Sequence, residues 1–324
     1  MLKAAIVGCG NIAGFLDSPS DMRVLTHAHA YQKHSDTSLM CICDPSVEQR
    51  EKFVKRWGQE IRHYPSLKEM LTNEQIDILS ICSPTAFHFE GMVEALNDKQ
   101  IQTIICEKPF VQTQKEFDEL APLLNKSNKK VIINFLRRYD PSINRLHELI
   151  QKETLGKPLF FIGKFTKGLY HNGSHMLELI EHLCGGVQSL SSEDVCVKDD
   201  DLYGSFSLKT VSCPGTLHNF SGDNFALFEL EIQFSKGRVL IKDSGHTIQI
   251  ETVQPSKEYE GYLTLQPKET LDDTLRMNLY HTIDFAIHSK TENCFKTHLL
   301  LSKKLLEIKE KLPTTHTLTW DTHE

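Results

Sequence analysis

The chain of 324 residues falls into two parts with different patterns of apolar and polar positions. In the first part, short apolar runs alternate with amphipathic segments, as expected for buried parallel strands joined by helices. These units predict a doubly wound parallel sheet over residues 1–134. The predicted strands lie near residues 3–7, 38–43, 60–64, 76–81, 102–106 and 130–134.

The pattern changes at residues 137–141, an Arg-Arg-Tyr-Asp-Pro segment. The amphipathic segment 142–152 predicts a helix, and a final helix is predicted from Cys294 to Leu312, ended by Pro313. Between them, apolar and polar residues alternate with period two, which predicts a second α/β domain with a large, mostly antiparallel open sheet over residues 135–324. The alternating runs are 159–165, 226–234, 238–242 and 246–252, and the apolar stripe of the last helix is Leu301, Leu305, Ile308 and Leu312.

Composition and charge narrow the class of protein. Apolar residues make up 40% of the chain and charged residues 24%, as in soluble globular proteins, and the formal net charge is −7. A net negative charge without a Lys/Arg block argues against binding to nucleic acid. We find no apolar run long enough to span a membrane and no signal peptide. The nine cysteines are scattered and odd in number, which is typical of a reducing cytoplasm. We expect a cytoplasmic protein that binds neither membranes nor nucleic acids.

A glycine turn follows the first apolar run. Gly8, Gly10 and Ala13 have the spacing G-x-G-x-x-A, and Asn11 and Ile12 lie inside the motif. Such glycines allow a tight turn and let a pyrophosphate approach a helix N-terminus. The turn therefore predicts a dinucleotide cofactor.

The second apolar run ends in Asp44. A carboxylate here can accept hydrogen bonds from both ribose hydroxyls of an adenosine and would repel a 2′-phosphate, which favours NAD over NADP. Asp44 lies further from the glycines than the usual offset of about 20 residues. We attribute the extra length to residues 15–25, which we interpret as an inserted loop. This loop is either a lid over the cofactor or a passive insertion, and Thr26 is expected to cap the helix after it.

Two more segments follow predicted strands of the first sheet. Glu107-Lys108-Pro109 comes after the fifth strand, where a lysine points into the crevice in which such sheets bind ligands and the Lys-Pro bond allows a cis peptide. Ser83-Pro84-Thr85 follows the fourth strand. Thr85 is predicted to cap the next helix, and His88, one turn inside it, faces either the cofactor or solvent. The candidate cofactor-binding residues are Gly8, Gly10, Asn11, Ile12, Ala13, Asp44, Ser83, Thr85, His88, Glu107 and Lys108.

A histidine-rich helix is predicted in the second domain, beginning near Asn172. His175, Glu178 and His182 would share one of its faces. Three readings are open: these residues with His171 ligate zinc, they form a solvated face, or His175 is a general base. A metal pair at Cys41-x-Cys43 lacks a second cysteine pair, and alternate strand cysteines commonly pack as small apolar residues, so we expect no metal.

Taken in order along the chain, these segments resemble the Gfo/Idh/MocA oxidoreductases, a family that includes glucose-fructose oxidoreductase and inositol dehydrogenase. The resemblance rests on the glycine turn, Asp44, the Ser-Pro-Thr-x-x-His segment, Glu107-Lys108-Pro109, the Arg-Arg-Tyr-Asp-Pro segment and the Gly-Ser-His helix start. It implies a Rossmann domain, a C-terminal α/β domain, and NAD(P)-dependent hydride transfer to or from a sugar, polyol or sugar nucleotide.

By position, the resemblance makes Lys108 the catalytic and substrate-binding lysine and His175 the catalytic histidine. The family often has an aspartate four residues before that histidine, where this chain has His171, and an aspartate three residues after it, where this chain has Glu178. The loss of the first carboxylate leaves the division of labour between Lys108 and His175 open. The candidate substrate-binding residues are Lys108, Arg138, Tyr170, His171, Asn172 and His175, with Lys164 also considered.

Oxidation of a secondary alcohol requires a base for the hydroxyl proton and a cation for developing alkoxide charge. Neutral histidine suits the first role at His175, and Lys108 suits the second. A cofactor-binding sensor without turnover and an NAD-assisted glycoside hydrolase are the alternatives. We also expect a homodimer or homotetramer formed through the C-terminal sheet.

Overall fold

The computed structural model describes residues 1–192, 194–289 and 293–321. The chain forms two compact units, one of residues 1–139 with 276–306 and the other of residues 140–275 with 307 onward. The first unit therefore extends to residue 139 rather than the predicted 134, and it regains a segment from near the end of the chain.

Parallel strands form the sheet of the first unit, in the order β3-β2-β1-β4-β5-β6. This confirms the predicted doubly wound sheet. The strands are β1 (Leu2–Val7), β2 (Thr37–Cys43), β3 (Arg62–Tyr64), β4 (Ile78–Ile81), β5 (Thr103–Cys106) and β6 (Lys130–Ile133). The helices are α1 (His27–Lys33), α2 (Val47–Trp57), α3 (Leu67–Asn73), α4 (His88–Asn97) and α5 (Gln114–Lys126), with a π-helical turn at Asn11–Phe15 and 3-10 turns at Thr85–Phe87 and Leu136–Tyr139.

A helix from the end of the chain completes this unit. Helix α8 (Asn278–His288) buries Leu279, Ile283 and Ala286 in the same apolar core as the first strands. The ring of Phe285 lies 4.8 Å from that of Tyr139. Burial of this apolar stripe explains why the segment returns to the first unit, since an exposed stripe would forfeit the free energy of apolar burial.

The second unit is built on a ten-stranded sheet in the order β15-β14-β13-β12-β7-β11-β10-β8-β16, with β9 paired to β10. Its strands are β7 (Pro158–Thr166), β8 (Val187–Ser191), β9 (Val195–Lys198), β10 (Asp201–Thr210), β11 (Pro214–Phe220), β12 (Phe228–Phe234), β13 (Gly237–Lys242), β14 (Thr247–Pro255), β15 (Leu263–Asp272) and β16 (Thr317–Thr319). Helices α6 (Pro141–Gln151) and α7 (Gly173–Cys184) and a 3-10 turn at Asp243–Gly245 belong to it.

All strand pairs of this sheet are antiparallel except β7 with β11, which are parallel. The predicted large, mostly antiparallel sheet is confirmed. Helix α7 packs on the face of β7 that carries Gly163. A Cβ placed on Gly163 would lie only 3.2 Å from the sulfur of Met176 in α7.

The last helix, α9, spans Asn293–Thr315 and so continues past Pro313, where we had predicted its end. Pro313 lacks the N–H that would bond to the carbonyl four residues earlier, and the helix ends two residues after it. The N–H of His316 donates to the carbonyl of Leu312 at 3.1 Å and closes the helix. Within the described residues, no helix combines the length and the apolar character that crossing a membrane requires.

Candidate functional site

The glycine turn after β1 forms as predicted. Gly8 has a φ of +88°, and a Cβ there would lie 2.6 Å from the backbone nitrogen of Ser83, so only glycine fits. Its N–H donates to the carbonyl of Cys43 at 2.8 Å. At Gly10, by contrast, no atom of the described residues beyond its two chain neighbours lies within 4 Å of the place of a Cβ. The turn is therefore tightly packed at Gly8, on its sheet side, and open at Gly10. The open side would let a pyrophosphate approach the backbone closely.

The helix after the turn is shorter than the motif predicts. It is a π-helical turn that contains Asn11, Ile12 and the buried Ala13 and ends at Phe15. Gly14 packs against α2, since its carbonyl accepts a hydrogen bond from the indole of Trp57 at 2.8 Å. The first turn thus holds the phosphate-binding positions, while the regular helix starts only at α1.

The inserted loop of residues 15–25 is fixed at its base by Asp17. This buried carboxylate accepts hydrogen bonds from the N–H of Leu25 at 2.6 Å and from the hydroxyl of Thr26, and it pairs with Nδ1 of His29 at 3.0 Å. Thr26 caps α1 as predicted, because its hydroxyl accepts from the N–H of His29. The loop is therefore anchored to the start of α1.

Asp44 connects the glycine turn to the turn after β2. Its Oδ2 accepts from the N–H of Cys9 at 2.8 Å and its Oδ1 from the N–H of Ser46 at 2.9 Å. Each carboxylate oxygen offers a further lone pair, so both can accept from a ribose hydroxyl. The sequence reading missed Arg50, which is buried and donates to the backbone carbonyls of Asp44 and Pro45.

His88 is buried, so the reading that placed it on the helix surface is wrong. It is the first residue of α4, and its ring nitrogens lie 2.8 Å from the carbonyl oxygens of Ser83 and Pro109. Thr85 begins the preceding 3-10 turn and does not cap α4, which has no side-chain cap. His88 therefore ties the turn after β4 to the segment after β5.

The hydroxyl of Ser83 is a buried polar atom for which the described residues provide no hydrogen-bond partner. Buried hydroxyls are normally satisfied, and an exception calls for an explanation. Because Ser83 also lies against the glycine turn, a bound cofactor is the natural partner.

A buried hydrogen-bonded chain supports the Glu107-Lys108-Pro109 segment. Glu107 Oε1 lies 2.8 Å from His27 Nε2 and accepts from Nδ2 of Asn134 at 2.7 Å. The other ring nitrogen of His27 lies 2.8 Å from the hydroxyl of Ser80, which in turn lies 2.6 Å from that of Tyr31. These hydrogen bonds fix the side chain of Glu107 and so restrain the backbone from which Lys108 extends.

The pKa of Glu107 shows the effect of these partners. Burial raises this pKa, but the hydrogen bond and charge of His27, the amide of Asn134 and the charge of Lys108 outweigh burial and hold it below its usual value. The Lys108-Pro109 peptide bond is cis, as the sequence allowed. Glu107 is therefore ionised beside Lys108.

In the second unit, the loop before α7 is held by Asp201, which sequence reasoning missed. Its Oδ1 accepts from the N–H of Tyr170 at 2.7 Å and its Oδ2 from the N–H of His171 at 2.9 Å. The side chain of Asn172 donates to the carbonyl of Thr166 at 2.9 Å. Asp201 is the first residue of β10, some thirty places from the loop, so no local spacing signalled it.

The histidine-bearing face of α7 is not a solvated face, because Glu178 and His182 are buried and only His175 is half-buried. That reading is wrong. The ring of His182 instead stacks on that of His147 from α6, with centroids 4.3 Å apart. His171 is exposed.

The zinc reading of this helix gains no geometric support. Across residues 1–192, 194–289 and 293–321, the group of three side chains with ligand atoms within 4.8 Å of one another is His34, Asp284 and His288, in the first unit. Even there, Nδ1 of His34 accepts from the N–H of Asp36 at 3.2 Å, and Nε2 lies 3.3 Å from Oδ1 of Asp284. This is the arrangement of a hydrogen bond rather than of a ligand.

The remaining substrate candidates are placed differently. Tyr170 lies beside Lys309, whose Nζ is 4.9 Å from the ring centroid, a contact that the sequence did not predict. Lys164 is exposed on the face of β7 opposite Gly163, and therefore opposite α7, so we no longer group it with His175. Arg138 is half-buried in the 3-10 turn of the first unit.

Comparison with known proteins bears on the first unit most directly. Residues 2–135 match the profile of the Gfo/Idh/MocA family, described as an oxidoreductase family with an NAD-binding Rossmann fold. The match covers less than half of the chain. The predicted family resemblance and Rossmann fold are confirmed for these residues.

Two curated relatives illustrate the similarity. The D-glucoside 3-dehydrogenase of Escherichia coli is 26% identical over 156 residues, which cover 48% of this chain and 41% of the relative. The inositol 2-dehydrogenase of Salmonella paratyphi B is 24% identical over 164 residues, which cover 50% of this chain and 45% of the relative. The chain spans less than half the length of these relatives in the matched regions.

A solved structure extends the likeness in fold to both units of this chain. The WlbA dehydrogenase from Chromobacterium violaceum, in complex with NADH and UDP-GlcNAcA, matches with a TM-score of 0.75 at 18% identity. The match covers 100% of this chain and 97% of that one. It confirms the fold of the whole chain.

Proposed function

We propose that this protein is an NAD(P)-dependent oxidoreductase that transfers a hydride between nicotinamide and a hydroxyl or keto carbon of a sugar, polyol or sugar nucleotide. One observation carries the proposal. The glycine turn, Asp44, Ser83 and Lys108 all follow the carboxyl ends of neighbouring strands β1, β2, β4 and β5. In open α/β sheets, this edge is where ligands bind.

The cofactor fits the residues of the first unit. Gly8 packs tightly against the sheet, and Gly10 leaves room for a pyrophosphate. The carboxylate of Asp44 has lone pairs that can accept hydrogen bonds from ribose hydroxyls. We assign Asn11, Ile12, Ala13, Ser83, Thr85, His88, Glu107 and Lys108 to the same cofactor site, with His88 and Glu107 acting by bracing their turns. When bound, nicotinamide supplies the hydride acceptor or donor.

The side chains supply proton transfer and charge. Lys108, fixed by the ionised Glu107 before it, stabilises negative charge on the substrate oxygen. His175 takes the hydroxyl proton during oxidation and returns it during reduction. Arg138, Tyr170, His171 and Asn172 bind substrate hydroxyls or a phosphate. The family resemblance supports these roles for Lys108 and His175.

Asp44 supports NAD rather than NADP, because its charge would repel a 2′-phosphate. Arg50 is the nearby cation that a 2′-phosphate would need, but its Nη1 is directed at the backbone carbonyls of Asp44 and Pro45. We therefore treat Arg50 as a brace of the turn after β2.

The second unit supports self-association through its sheet. On the face of β7 and β11 opposite α7, Phe160 and Phe220 are 42% and 40% exposed. Large exposed apolar side chains on an open sheet are typical of interfaces. We propose a homodimer or homotetramer through this face, which Phe160→Glu should weaken in sedimentation velocity experiments.

The cytoplasmic location remains a prediction.

The proposal is tested by supplying sugars, polyols and nucleotide sugars with NAD⁺ or NADP⁺ and following reduced nicotinamide by absorbance. We expect substrate-dependent formation of NADH. A sensor would bind NAD without turnover of any compound in the panel. An NAD-assisted glycoside hydrolase would release sugar while no NADH accumulated, so product analysis of the same reactions separates the three functions.

A further inference from the structure

A pair of cysteines lies at the far end of α7 from His175. Cys184 is the last residue of α7, and Cys213 lies in the turn between β10 and β11. The N–H of Ser212 donates to the carbonyl of Cys184, and the N–H of Val211 to that of Gly186, each at 3.1 Å. Two backbone hydrogen bonds therefore hold the turn against the end of the helix.

Both cysteines are buried at this clamp, and each thiol shifts the pKa of the other, as expected for neighbouring side chains. The turn is itself fixed, because the Thr210 hydroxyl donates to the carbonyl of Cys213 at 2.8 Å and accepts from its N–H at 3.2 Å. The folded chain thus holds the two cysteine-bearing segments together, as a disulfide between them requires.

We propose that Cys184 and Cys213 are a redox-active pair that forms a reversible disulfide when a hydroperoxide is present. The thiolate of one cysteine attacks a peroxide oxygen, the O–O bond breaks, and sulfenic acid and hydroxide or alkoxide form. The second thiol then attacks the sulfenic sulfur, the S–S bond forms, and water leaves. Two thiols are oxidised and one peroxide is reduced, and a dithiol reductant reverses the change.

Cys213 is the residue that reacts first. Its neighbours Val211, Ser212 and Pro214 are exposed, so the turn lies at the surface where peroxide arrives. The hydrogen bond from Cys184 lowers the pKa of Cys213 below its usual value, which favours the thiolate that peroxide chemistry needs. Cys184, deeper in the unit, serves as the resolving thiol.

A disulfide here would add a second tie between α7 and β10. Asp201 at the start of β10 already holds the loop before α7. The new bond would fix the end of α7 to the turn after β10, closing a loop of about 30 residues that lowers the entropy of the unfolded chain. We therefore expect a more heat-stable protein after oxidation.

The experiment treats reduced full-length protein with hydrogen peroxide, blocks the remaining thiols, and maps disulfides by mass spectrometry without reduction. We expect a cross-linked peptide containing Cys184 and Cys213, lighter by two hydrogens, that dithiothreitol removes. The melting temperature should rise by roughly 5 °C on oxidation and return on reduction. Cys184→Ser and Cys213→Ser should each abolish both changes.

Cys41 and Cys43 provide an internal control. They are two residues apart on the same face of β2, but burial raises the pKa of both thiols and so disfavours the reactive thiolate, and they should stay reduced. The exposed Cys196 is replaced by serine to suppress disulfides between molecules. The inference fails if Cys213 is oxidised to sulfinic acid while Cys184 stays a thiol, or if the cross-link appears only after unfolding. Both readouts are independent of hydride transfer.

Discussion

The carboxylate of Asp201 occupies the space that a side chain on Gly168 would need. A Cβ at Gly168 would overlap the carboxyl carbon and both oxygens of Asp201. This close approach lets Asp201 reach the N–H groups of Tyr170 and His171. A glycine and an aspartate thirty-three positions apart (168 to 201) together set the loop from which α7 and His175 begin.

Gly168→Ala should therefore destabilise the protein by about 1–3 kcal/mol, the usual cost of overpacking a buried site. Asp201→Asn should cost a similar amount, because two backbone N–H groups lose a charged acceptor. Since both changes disrupt one contact, the double variant should cost less than the sum. Urea unfolding measures all three, and Gly186→Ala, where a Cβ meets no atom within 4 Å, is the neutral control. Additive effects would show that the two residues act separately.

The first unit could be predicted from the sequence because its signals are local. Each buried strand is a short apolar run, and Gly8 and Asp44 follow such runs directly. The return of α8 to this unit could not be predicted, since nothing in its apolar stripe specifies which core covers it. His88 was ambiguous for the same reason: its burial depends on carbonyls at Ser83 and Pro109.

The second unit was harder to predict. Strands β8, β9, β10, β11, β15 and β16 were missed because many of their residues are polar or exposed and the alternation is weak. The start of α7 was predicted from Asn172 onward, but the role of Asp201 depends on a long-range contact. Such long-range contacts produce no repeating pattern of apolar and polar residues in the sequence.

Glu107→Gln should reduce stability in a manner that depends on pH. Because the pKa of Glu107 is lowered on folding, its ionised form stabilises the native state above the unfolded pKa of about 4.3, and this contribution is lost as pH falls through the folded value. The stability gap between wild type and variant should be widest near neutral pH and close in acid. Chemical denaturation from pH 3 to 7 measures it. A gap that stays constant over this range would contradict the lowered pKa of Glu107.

Asp44→Ser should narrow the preference for NAD(H) over NADP(H). The wild-type protein should bind NAD(H) more tightly, because Asp44 accepts from ribose hydroxyls and repels a 2′-phosphate. Fluorescence titration with both cofactors measures the ratio. Asp77→Ser is a matched control, since Asp77 also accepts from a backbone N–H of β1, that of Lys3 at 2.7 Å, at the opposite end of the strand. Tighter binding of NADPH by wild type would overturn the assignment and point to Arg50.

Lys108→Met should leave folding and NAD affinity nearly intact while lowering turnover by roughly a hundredfold or more, the scale of a lost electrostatic or acid/base group. Turnover and cofactor titration of the same preparation separate the two effects. Lys115→Met, at an exposed lysine of α5, should change neither. Near-normal turnover in Lys108→Met would make this lysine a bystander.

His175→Ala tests whether the start of α7 carries a general base or a metal ligand. A base with the reference histidine pKa of about 6.5 gives an oxidation rate that rises through roughly pH 6 to 7.5, and the variant should flatten this profile. His171→Ala should be milder, because His171 is exposed and the variant keeps the backbone N–H that donates to Asp201. Chelators should have no effect on wild type. Near-stoichiometric zinc in the purified protein, with activity lost on dialysis against chelator, would instead make His175 a metal ligand and remove it from proton transfer.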